Sequence, residues 1–530
     1  MSSPLRSITD YVQHWADRTP DAVALSSGDV EIGYHELSVL IDDVAGRLEA
    51  AGVRSGDRVV LAGINTGGWV VAFLAALRRG AIIAPLNSRL GSNQLPALID
   101  TMEPRIALVD DSQAHIFEEA RIAQTGVYVH HLGDGDLDTA FTKLPAADTD
   151  RNSWSVDPQA PALLSFTSGT TSTPKAALIS HASLVAAARC FEPYSDLGPH
   201  PITTVVTPLF HNTGYVDQLC QSLVFGGQVD LVPRFRSAAA VTAMTRRPPT
   251  FLATVPSILR MLMLAPEADE IFAHCRAAIV GGASMPHAWI REINRRWPSL
   301  QVLHGYGLTE FTSASHLLPS DEIVMQRDSV GKTVPGVECS IRDEDGCEVP
   351  SGVPGEVWLA GPMRMIGYWG QPDATRDALS GKWLRTGDVG IVNEHGYLRL
   401  QGRLNQVINR GGEKIHPALL EDLLGSYESI AEVVVVGLPD PVLGERVFAG
   451  VVCRDGTHFD DSDARRILDG HVPDYALPEE FIVVDAIPHS VTGKPDRHAI
   501  TEILLERRAA VSSTGTAITR GERHGTENHR

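Results

Sequence analysis

The chain has 530 residues, of which 43% are hydrophobic, 21% charged and 6% aromatic, a composition typical of a folded globular protein. A single hydrophobic core stops growing at roughly 250–300 residues, so this length predicts at least two domains. With 45 Lys and Arg against 65 Asp and Glu, the formal charge of −20 argues against nucleic acid or an anionic membrane as the main partner, because phosphate-rich surfaces bind cations.

Three further features bear on the compartment. The first ten residues lack a cationic segment followed by an apolar run, so no signal peptide is predicted. The most apolar stretch, 69–87, is interrupted by Arg78 and Arg79 and does not predict a membrane span. The six cysteines form no CxxC pair, which favours reduced thiols over disulfides or a zinc site. We therefore expect a cytoplasmic protein.

The N-terminal part alternates between helical and β-type patterns. Apolar residues recur at helical spacing over 36–51 and stop at Gly52, as a glycine C-cap requires. A strand pattern at 57–65, a helical pattern at 68–80 and another strand pattern at 81–87 follow. Strand, helix and strand at this spacing predict a parallel sheet covered by helices.

The same alternation continues further along the chain. Short β-type runs occupy 203–208, 226–233, 250–256 and 277–282, with helical patterns at 257–265 and 288–297. From about Ser329 to Leu400 the pattern changes to short runs rich in Val, Ile, Gly and Pro. That change predicts an antiparallel region with hairpins.

A second, smaller domain of roughly 100 residues, near the usual domain minimum, is predicted to begin around Arg403. It contains helical patterns at 417–427 and near 462–472, with strand patterns at 431–439 and 446–453. The tail from Ala509 onward has little apolar content and is predicted to be disordered.

The sharpest local signal is the segment TSGTTSTPK, which directly follows an apolar run and ends at Lys175. Backbone N–H groups, hydroxyl groups and a lysine at the end of a strand suit the oxygens of a polyphosphate. The segment does not match the GxxxxGK[ST] loop, so ordinary P-loop chemistry is not implied. A solvated Ser/Thr turn is the open alternative. The hydroxyl residues are Thr167, Ser168, Thr170, Thr171 and Ser172, and they surround Gly169.

A second motif, HGYGLTE, follows a strand pattern and places Tyr306 between Gly305 and Gly307. Such a tyrosine can present its ring to a planar base, and Glu310 can hold a divalent cation through a carboxylate oxygen. A glycine-rich turn with a buried tyrosine is the alternative. Asp388, in the segment TGD, suits ribose hydroxyls, although an aspartate in a turn is usually structural.

The order and spacing of these motifs resemble the adenylate-forming superfamily, which includes acyl-CoA synthetases, adenylation domains of nonribosomal peptide synthetases and luciferases. The resemblance covers about Asp10 to Arg508. Other segments that match the family pattern, in the family's order, are PLFHNTG (208–214), VGGASMP (280–286), GEVWLAGP (355–362), VGLPDPVLGE (436–445), NRGGEK (409–414) and TGKPDR (492–497).

The resemblance implies an α/β multi-domain fold. A large N-terminal domain (1–402) of α/β subdomains plus a β-rich subdomain would bind ATP and the acid. A hinge (403–406) would connect it to a small mobile α+β C-terminal lid domain (407–508), which the predicted disordered tail (509–530) follows.

The resemblance also implies roles in an ATP site. Tyr306 would stack on adenine, Thr309 would contact phosphate and Glu310 would coordinate Mg²⁺. Lys494 would bridge the substrate carboxylate and the α phosphate, a cation placed where negative charge accumulates. The full ATP-binding set is Thr167, Ser168, Gly169, Thr170, Thr171, Ser172, Lys175, Gly282, Ala283, Gly305, Tyr306, Gly307, Thr309, Asp388, Arg403 and Lys494, with Asp388 and Arg403 on the ribose hydroxyls.

The implied reaction has two steps: a carboxylate and Mg-ATP give an acyl-adenylate and pyrophosphate, and a thiol then displaces AMP. Lid closure would exclude water from the reactive anhydride. The lid would then rotate, withdrawing Lys494 and bringing the segment of Gly411, Gly412 and Lys414 to the thiol. We assign catalytic roles to Lys494, Thr309, Glu310 and His211.

Three positions depart from the family pattern. Ser172 and Ala176 replace common glycines of the phosphate loop, which reduces backbone freedom but retains the hydroxyls and Lys175. At the hinge, Gln406 stands where the family usually has Asp or Lys. This neutral amide makes the thioester step less secure than the adenylation step.

The acid is only partly specified. His211 occupies the aromatic position of the family's acyl pocket, and Asn212 stands where amino-acid-activating members place an Asp. An amide cannot pair with an ammonium, so a small or aromatic acid without an α-amino group is favoured. Asp217 and Phe311 either border this pocket or are, respectively, an exposed helix carboxylate and a packed core aromatic.

These observations predict a Mg-ATP-dependent acid:CoA ligase with CoA as co-substrate, since no carrier domain follows the lid. Alternative acceptors for the same adenylate are a separate carrier-protein thiol, an amine, or nitrite in diazotase-type chemistry. A non-catalytic ATP-binding protein is a different class, which the retained Glu310, Asp388, Arg403 and Lys494 disfavour. The expected partners are small molecules, with neither nucleic acid nor membrane among them, and a homo-oligomer remains open.

Overall fold

The computed structural model describes residues 5–146, 155–166, 175–194, 200–282, 285–323, 326, 329–411, 413–489 and 495–515. The chain divides into two compact units. The first contains most of the chain up to Arg399, and the second contains 387–390 and everything from Leu400.

The strands that begin before residue 400 are β1 (Val23–Ser27), β2 (Val30–Gly33), β3 (Arg58–Ala62), β4 (Ile82–Leu86), β5 (Ile106–Asp110), β6 (Tyr128–Gly133), β7 (Pro161–Phe166), β8 (Ala176–Ser180), β9 (Ile202–Val205), β10 (Gln228–Leu231), β11 (Phe251–Thr254), β12 (Ala277–Gly281), β13 (Gln301–Gly307), β14 (Ala314–Pro319), β15 (Lys332–Thr333), β16 (Glu338–Arg342), β17 (Gly355–Ala360), β18 (Gly367–Tyr368), β19 (Leu379–Ser380), β20 (Trp383–Val392) and β21 (Leu398–Arg403).

The α-helices of the first unit are α1 (Ile8–Arg18), α2 (Tyr34–Ala50), α3 (Gly67–Arg78), α4 (Leu95–Met102), α5 (Asp111–Glu119), α6 (His181–Arg189), α7 (Gln221–Val224), α8 (Ser237–Arg246), α9 (Pro256–Met263), α10 (Ala268–Phe272), α11 (His287–Arg296), α12 (Ser320–Ile323) and α13 (Pro372–Ala378). A π-helix, Thr213–Cys220, precedes α7, and a 3₁₀ turn, Thr309–Phe311, follows β13.

Two large sheets form the first unit. One has the strand order β15-β14-β13-β12-β11-β9-β10-β1-β2, and the other has the order β18-β8-β7-β4-β3-β5-β6. Pairing is parallel from β13 to β1 in the first sheet and from β7 to β6 in the second, with antiparallel strands at the edges. The predicted parallel sheets are therefore confirmed.

Helices lie between these sheets and explain the most apolar segment of the chain. In α3, the residues from Gly68 to Leu77 are all buried, since the helix contacts α2 on one side and the strands β3 and β4 on the other. A helix that is apolar on every face must be covered on every face. Thr66 caps its N-terminus by accepting a hydrogen bond from the backbone N–H of Trp69 at 3.2 Å.

A five-stranded sheet contains β16, β17, β19, β20 and β21. Its pairs β16·β17 and β19·β20 are antiparallel, as the patterns between Ser329 and Leu400 predict. The prediction of a β-rich region is confirmed. Its strands form from short runs rich in Val and Ile that turn residues separate.

The second unit begins close to the predicted Arg403. Its elements are β22 (Ile408–Arg410), β23 (Glu413–Ile415), α14 (Pro417–Leu424), β24 (Ile430–Asp440), β25 (Gly444–Cys453), α15 (Asp461–Leu468), β26 (Glu480–Val483) and α16 (Arg497–Gly515). The strands form one sheet in which β24 and β25 are antiparallel. The helix α16 includes 509–515, part of the segment for which composition predicts disorder, and 516–530 lie outside the described residues.

All six cysteines lie in the described part of the chain, and none is in a disulfide, in agreement with the predicted free thiols. Within the described ranges, no helix combines the length and apolarity needed to span a bilayer.

The buried histidine His181 makes stability depend on pH. Its side chain is 1% exposed, and neither ring nitrogen has a hydrogen-bond partner among the described residues. Burial lowers the pKa of His181 to about 4, although Asp10 and Asp157 oppose this shift. The residue also begins α6, where a positive charge would oppose the helix dipole.

We expect His181→Leu to weaken the dependence of stability on pH between 7.5 and 5. In the wild type, the unfolded chain binds this proton below pH 6.5 and the folded chain does not, so stability falls as pH falls from 6.5 toward 4. At pH 5 the loss is about 2 kcal/mol. Urea unfolding at both pH values measures it, and an equal decrease in wild type and variant would contradict the prediction.

Candidate active site

Three of the residues that the sequence singles out follow neighbouring strands of the larger sheet. The strands β9, β11, β12 and β13 are neighbours, and β9, β11 and β12 each pair in parallel with the next. Their carboxyl ends therefore share an edge, and ligands of open α/β sheets bind at such edges. His211 follows β9, Gly282 follows β12, and Thr309 follows β13.

The two glycines beside Tyr306 differ in whether the surrounding structure requires a glycine at that position. A Cβ at Gly307 would lie 2.3 Å from the carbonyl oxygen of Ser313, so this position requires glycine. At Gly305 a Cβ would make only ordinary contacts, the nearest at 3.4 Å. The Tyr306 ring is half-buried and lies 5.8 Å from the ring of the buried His316 across the β13·β14 pair. The predicted stacking of Tyr306 on adenine stays a prediction.

The chain after β13 makes a strained turn. Thr312 is fully buried and has φ of 63°, a region that a β-branched residue rarely adopts. Its hydroxyl donates a hydrogen bond of 2.7 Å to the carbonyl oxygen of Met363. Strain of this kind persists only where the surroundings impose it, and it often marks functional sites.

Asn212 connects that turn to two other elements. Its Nδ2 donates to the carbonyl oxygen of Thr312 at 2.7 Å, and its Oδ1 accepts hydrogen bonds from Ser165, at 2.9 Å, and from Tyr215. The hydroxyl oxygens of Ser165 and Tyr215 also lie 2.7 Å apart, and because each hydroxyl has one proton, two of these three contacts are donated at a time. We call these four residues the Asn212 node. These hydrogen bonds leave at most one N–H of the Asn212 amide for a ligand, so Asn212 is mainly a structural connector.

The node lies where three functional segments meet. Ser165 is in β7, next to the predicted phosphate loop, and Tyr215 is in the π-helix Thr213–Cys220. π-helical turns occur frequently at functional sites. Because Thr312 follows the motif of Glu310, one amide connects β7, the π-helix and the turn after β13.

Tyr368 brings together two of the predicted ATP-site residues. Its hydroxyl donates a hydrogen bond of 2.9 Å to Oε1 of Glu310, and Nζ of Lys175 lies 5.1 Å from the centre of its ring. The pairing of β18 with β8, in register Tyr368↔Ala177, places the tyrosine beside Lys175. An ammonium at this distance from the ring is attracted by the π-face.

Phe311 and Asp217, which are predicted either to border the acid pocket or to have structural roles, are both buried. Phe311 is completely buried, so the packed-core interpretation of it is confirmed. Asp217 is 8% exposed and accepts a hydrogen bond of 2.6 Å from Ser313, so the alternative of an exposed carboxylate is wrong. Burial raises the pKa of Asp217 to about 7, against the effect of the Ser313 hydrogen bond. His211 packs against Phe210, and burial and the nearby Arg89 lower its pKa to about 4.

In the second unit, the two predicted ribose residues are adjacent. Nε of Arg403 lies 3.0 Å from Oδ1 of Asp388, whose side chain is 8% exposed. The partly exposed ion pair contributes little stability, but it orients both groups. Gln406 is half-buried in a 3₁₀ turn, Leu404–Gln406.

The predicted acceptor segment forms the hairpin of β22 and β23. Gly411 has φ of 63° at its tip, and Lys414 stands opposite Asn409. Several predicted residues lie outside the described part of the chain, and their roles stay predictions: Thr167, Ser168, Gly169, Thr170, Thr171, Ser172, Ala283, Gly412 and Lys494.

Sequence reasoning missed Tyr368, Ser165, Tyr215 and Thr312 as parts of the site. Each has an unremarkable local pattern, and the partner of Tyr368 is 58 residues away in the chain. The segment GYWGQP, a Gly-Tyr pair before a proline-initiated helix, was the one available signal for Tyr368.

Glu310 has the chemistry of a magnesium ligand. It is half-buried, and it supplies hard carboxylate oxygens, one of which Tyr368 orients. Mg²⁺ typically binds to one or two carboxylates together with substrate phosphates. The described residues contain no group of three or more His, Cys, Asp or Glu suited to a metal.

Comparisons with known proteins identify the family of this chain. The model of AMP-binding enzymes matches residues 12–369, and that of their C-terminal domain matches residues 419–494. The chain is 30% identical to an indoleacetate–CoA ligase of Aromatoleum aromaticum over 94% of this chain and 98% of that protein.

Two solved structures have similar folds. The o-succinylbenzoate coenzyme A synthetase MenE of Bacillus subtilis, in complex with ATP and magnesium ion, has 25% identity and a TM-score of 0.81 over 92% of this chain and 98% of that one. The amide bond synthetase McbA of Marinactinospora thermotolerans has 26% identity and a TM-score of 0.83 over 94% and 98%.

We expect Asn212→Asp to destabilise the first unit. The carboxylate would keep its hydrogen bonds from Ser165 and Tyr215, but it would face the carbonyl oxygen of Thr312 with no donor. An unsatisfied and repelled acceptor costs about 1–3 kcal/mol. Urea unfolding at pH 8 tests this, with Asn93→Asp, at an exposed turn position, as a control for the same chemical change. Equal stability of the two variants would contradict the connecting role.

Proposed function

This chain belongs to the AMP-binding enzyme family, and we propose that it is an acid:CoA ligase that forms an acyl-adenylate from ATP and then an acyl-CoA. The observation that carries the proposal is that Tyr368 contacts both Glu310, through its hydroxyl, and Lys175, through its ring, a carboxylate and a cation suited to Mg²⁺ and to phosphate. The similarity to an indoleacetate–CoA ligase along nearly its full length supports CoA as acceptor.

In this proposal, residues of the first unit bind the nucleotide. Tyr306 would stack on adenine near Gly282 and Ala283, and Lys175 with Thr309 would contact the phosphates. Glu310 would hold Mg²⁺, which when bound neutralises phosphate charge. The remaining phosphate-loop residues keep the roles implied by family resemblance. Binding would draw on local charge, because the chain as a whole carries a formal charge of −20.

The second unit would complete the chemistry. Asp388 and Arg403 would hold the ribose hydroxyls, and their contact of 3.0 Å supports a joint role. Lys494 would place a cation between the acid carboxylate and the α phosphate during adenylation, where negative charge accumulates. The hairpin of Gly411, Gly412 and Lys414 would then approach the thiol, with Gln406 as the hinge.

We infer a small or aromatic acid without an α-amino group as substrate. The Asn212 amide has its oxygen engaged by Ser165 and Tyr215 and provides no negative charge for an ammonium. His211 is held neutral at pH 7 by the burial that lowers its pKa to about 4, so it would offer an apolar ring face. Both features favour an uncharged acyl group.

An amine is the second candidate acceptor. The chain resembles the amide bond synthetase McbA as closely in fold as it resembles a CoA synthetase, with TM-scores of 0.83 and 0.81. The neutral Gln406 at the hinge also favours keeping this alternative.

The test is a panel of carboxylic acids assayed with ATP and Mg²⁺, first for pyrophosphate exchange and then with CoA or amines. We expect exchange with at least one small or aromatic acid and thioester by mass spectrometry after CoA is added. If the adenylate yields an amide but no thioester, the acceptor is an amine and not CoA. No exchange with any acid would reject the enzyme assignment itself.

We expect Tyr368→Phe to weaken the use of Mg-ATP. The variant keeps the ring beneath Lys175 but removes the hydrogen bond to Glu310. Loss of a hydrogen bond to a charged group costs about 1.5–3 kcal/mol, which is roughly 10- to 100-fold in the exchange rate at low Mg-ATP.

Tyr397→Phe is the matched control, because its hydroxyl donates a similar hydrogen bond of 2.8 Å to the carboxylate of Glu322. We expect its exchange rate to equal that of the wild type. If both variants exchange pyrophosphate at the same rate, Tyr368 has no role in the use of Mg-ATP.

A further inference from the structure

The acceptor hairpin has little backbone pairing with the rest of its sheet. Among the described residues, the register that joins β22 to β25 is the single pair Arg410↔Gly444, whereas β22 and β23 pair along their full length. A hairpin attached through one backbone pair depends on side chains for its position. The side chains that hold it are therefore of functional interest.

Ile408 and Ile415 bury the hairpin's apolar face in the core of the second unit, and a series of charged groups adds a second side-chain attachment. Arg410 Nη2 donates to Oε1 of Glu479 at 3.2 Å, and Arg446 Nη1 donates to Oε2 of the same carboxylate at 2.9 Å. Arg446 Nε in turn donates to Oδ2 of Asp440. All four side chains are about one third exposed or less. Glu479 thus separates two guanidinium groups that would otherwise repel each other.

This series of charged groups closes into a ring at the tip of the hairpin. Asp440 Oδ1 accepts hydrogen bonds from the backbone N–H groups of Val442 and Leu443, at 2.9 and 2.8 Å. The carbonyl oxygen of Leu443 accepts one from the N–H of Gly411 at 2.7 Å. Gly411 is the neighbour of Arg410, so the ring begins and ends at adjacent residues of the hairpin.

Glu479 is itself firmly anchored. It lies immediately before β26, its N–H donates to the carbonyl oxygen of Val447 at 2.8 Å, and its own carbonyl accepts from Arg465 Nη2 at 2.9 Å. Partial burial would raise the pKa of Glu479, but the hydrogen bonds from Arg446 and Arg410 lower it overall. The carboxylate is therefore charged at neutral pH and has a fixed backbone.

We propose that Glu479 is a positioning residue for transfer of the acyl group to the acceptor, because it fixes the hairpin of β22 and β23 through Arg410 and Arg446. The inference rests on the proposed function, in which this hairpin approaches the thiol. Sequence motifs gave no indication of it, since Glu479 lies 69 residues from Arg410 and 33 from Arg446.

The experiment separates the two half-reactions in the full chain, using an acid that the panel identifies. For Glu479→Ala we expect pyrophosphate exchange within twofold of the wild type. Transfer from supplied acyl-adenylate to CoA should fall roughly tenfold or more, with a raised KM for CoA, because small misplacements of a positioning element cost rate steeply. Glu479→Gln keeps the shape and one acceptor, so it should restore part of the transfer rate.

Asp485→Ala is the matched control, since it removes a different ion pair of the same unit, to Arg507, at an almost fully exposed carboxylate. Its two half-reactions should equal those of the wild type. If wild type forms thioester and Glu479→Ala transfers at the same rate, the positioning role is wrong while the proposed function stands. An equal loss of both half-reactions would likewise overturn it. Adenylate without any thioester in the wild type would reject the CoA proposal and this role together.

Discussion

The hydrogen bonds of one half-buried amide, Asn212, hold the first unit's functional segments together. The amide satisfies Ser165 at the end of β7, Tyr215 in the π-helix and the strained turn at Thr312. β7 and the segment of Thr312 belong to different sheets, so the node spans two sheets. Inside a protein, such a network is strong when complete and costly when any member is removed.

Four cations of this acidic chain lie beside partners that orient them. The formal charge of −20 describes the whole chain and does not prevent single cations from being placed individually. Lys175 lies over the ring of Tyr368, while Arg403 contacts Asp388, and Arg410 and Arg446 share Glu479. Each of these four cations is therefore held at a defined position.

Most of the fold could be read from local patterns. The apolar periodicity of 36–51 and 68–80 predicted α2 and α3, and short Val- and Ile-rich runs predicted β3, β4, β11 and β12, because amphipathic period and turn residues are local properties. Gly307 in the HGYGLTE motif is required by a close backbone contact, and Phe311 packs in the core. The composition of the tail did not predict that α16 continues to Gly515.

By itself, the sequence determined the two-domain α/β architecture, the family and the set of candidate ATP-site residues, since these follow from periodicity and from motifs in a fixed order. Only the tertiary structure decided which side chains meet. It placed Tyr368 between Lys175 and Glu310, turned Asn212 from a pocket residue into a connector, and buried Asp217. It also brought Glu479 between two arginines. These contacts join positions far apart in the chain, and strand order and register, which no local pattern specifies, determine them.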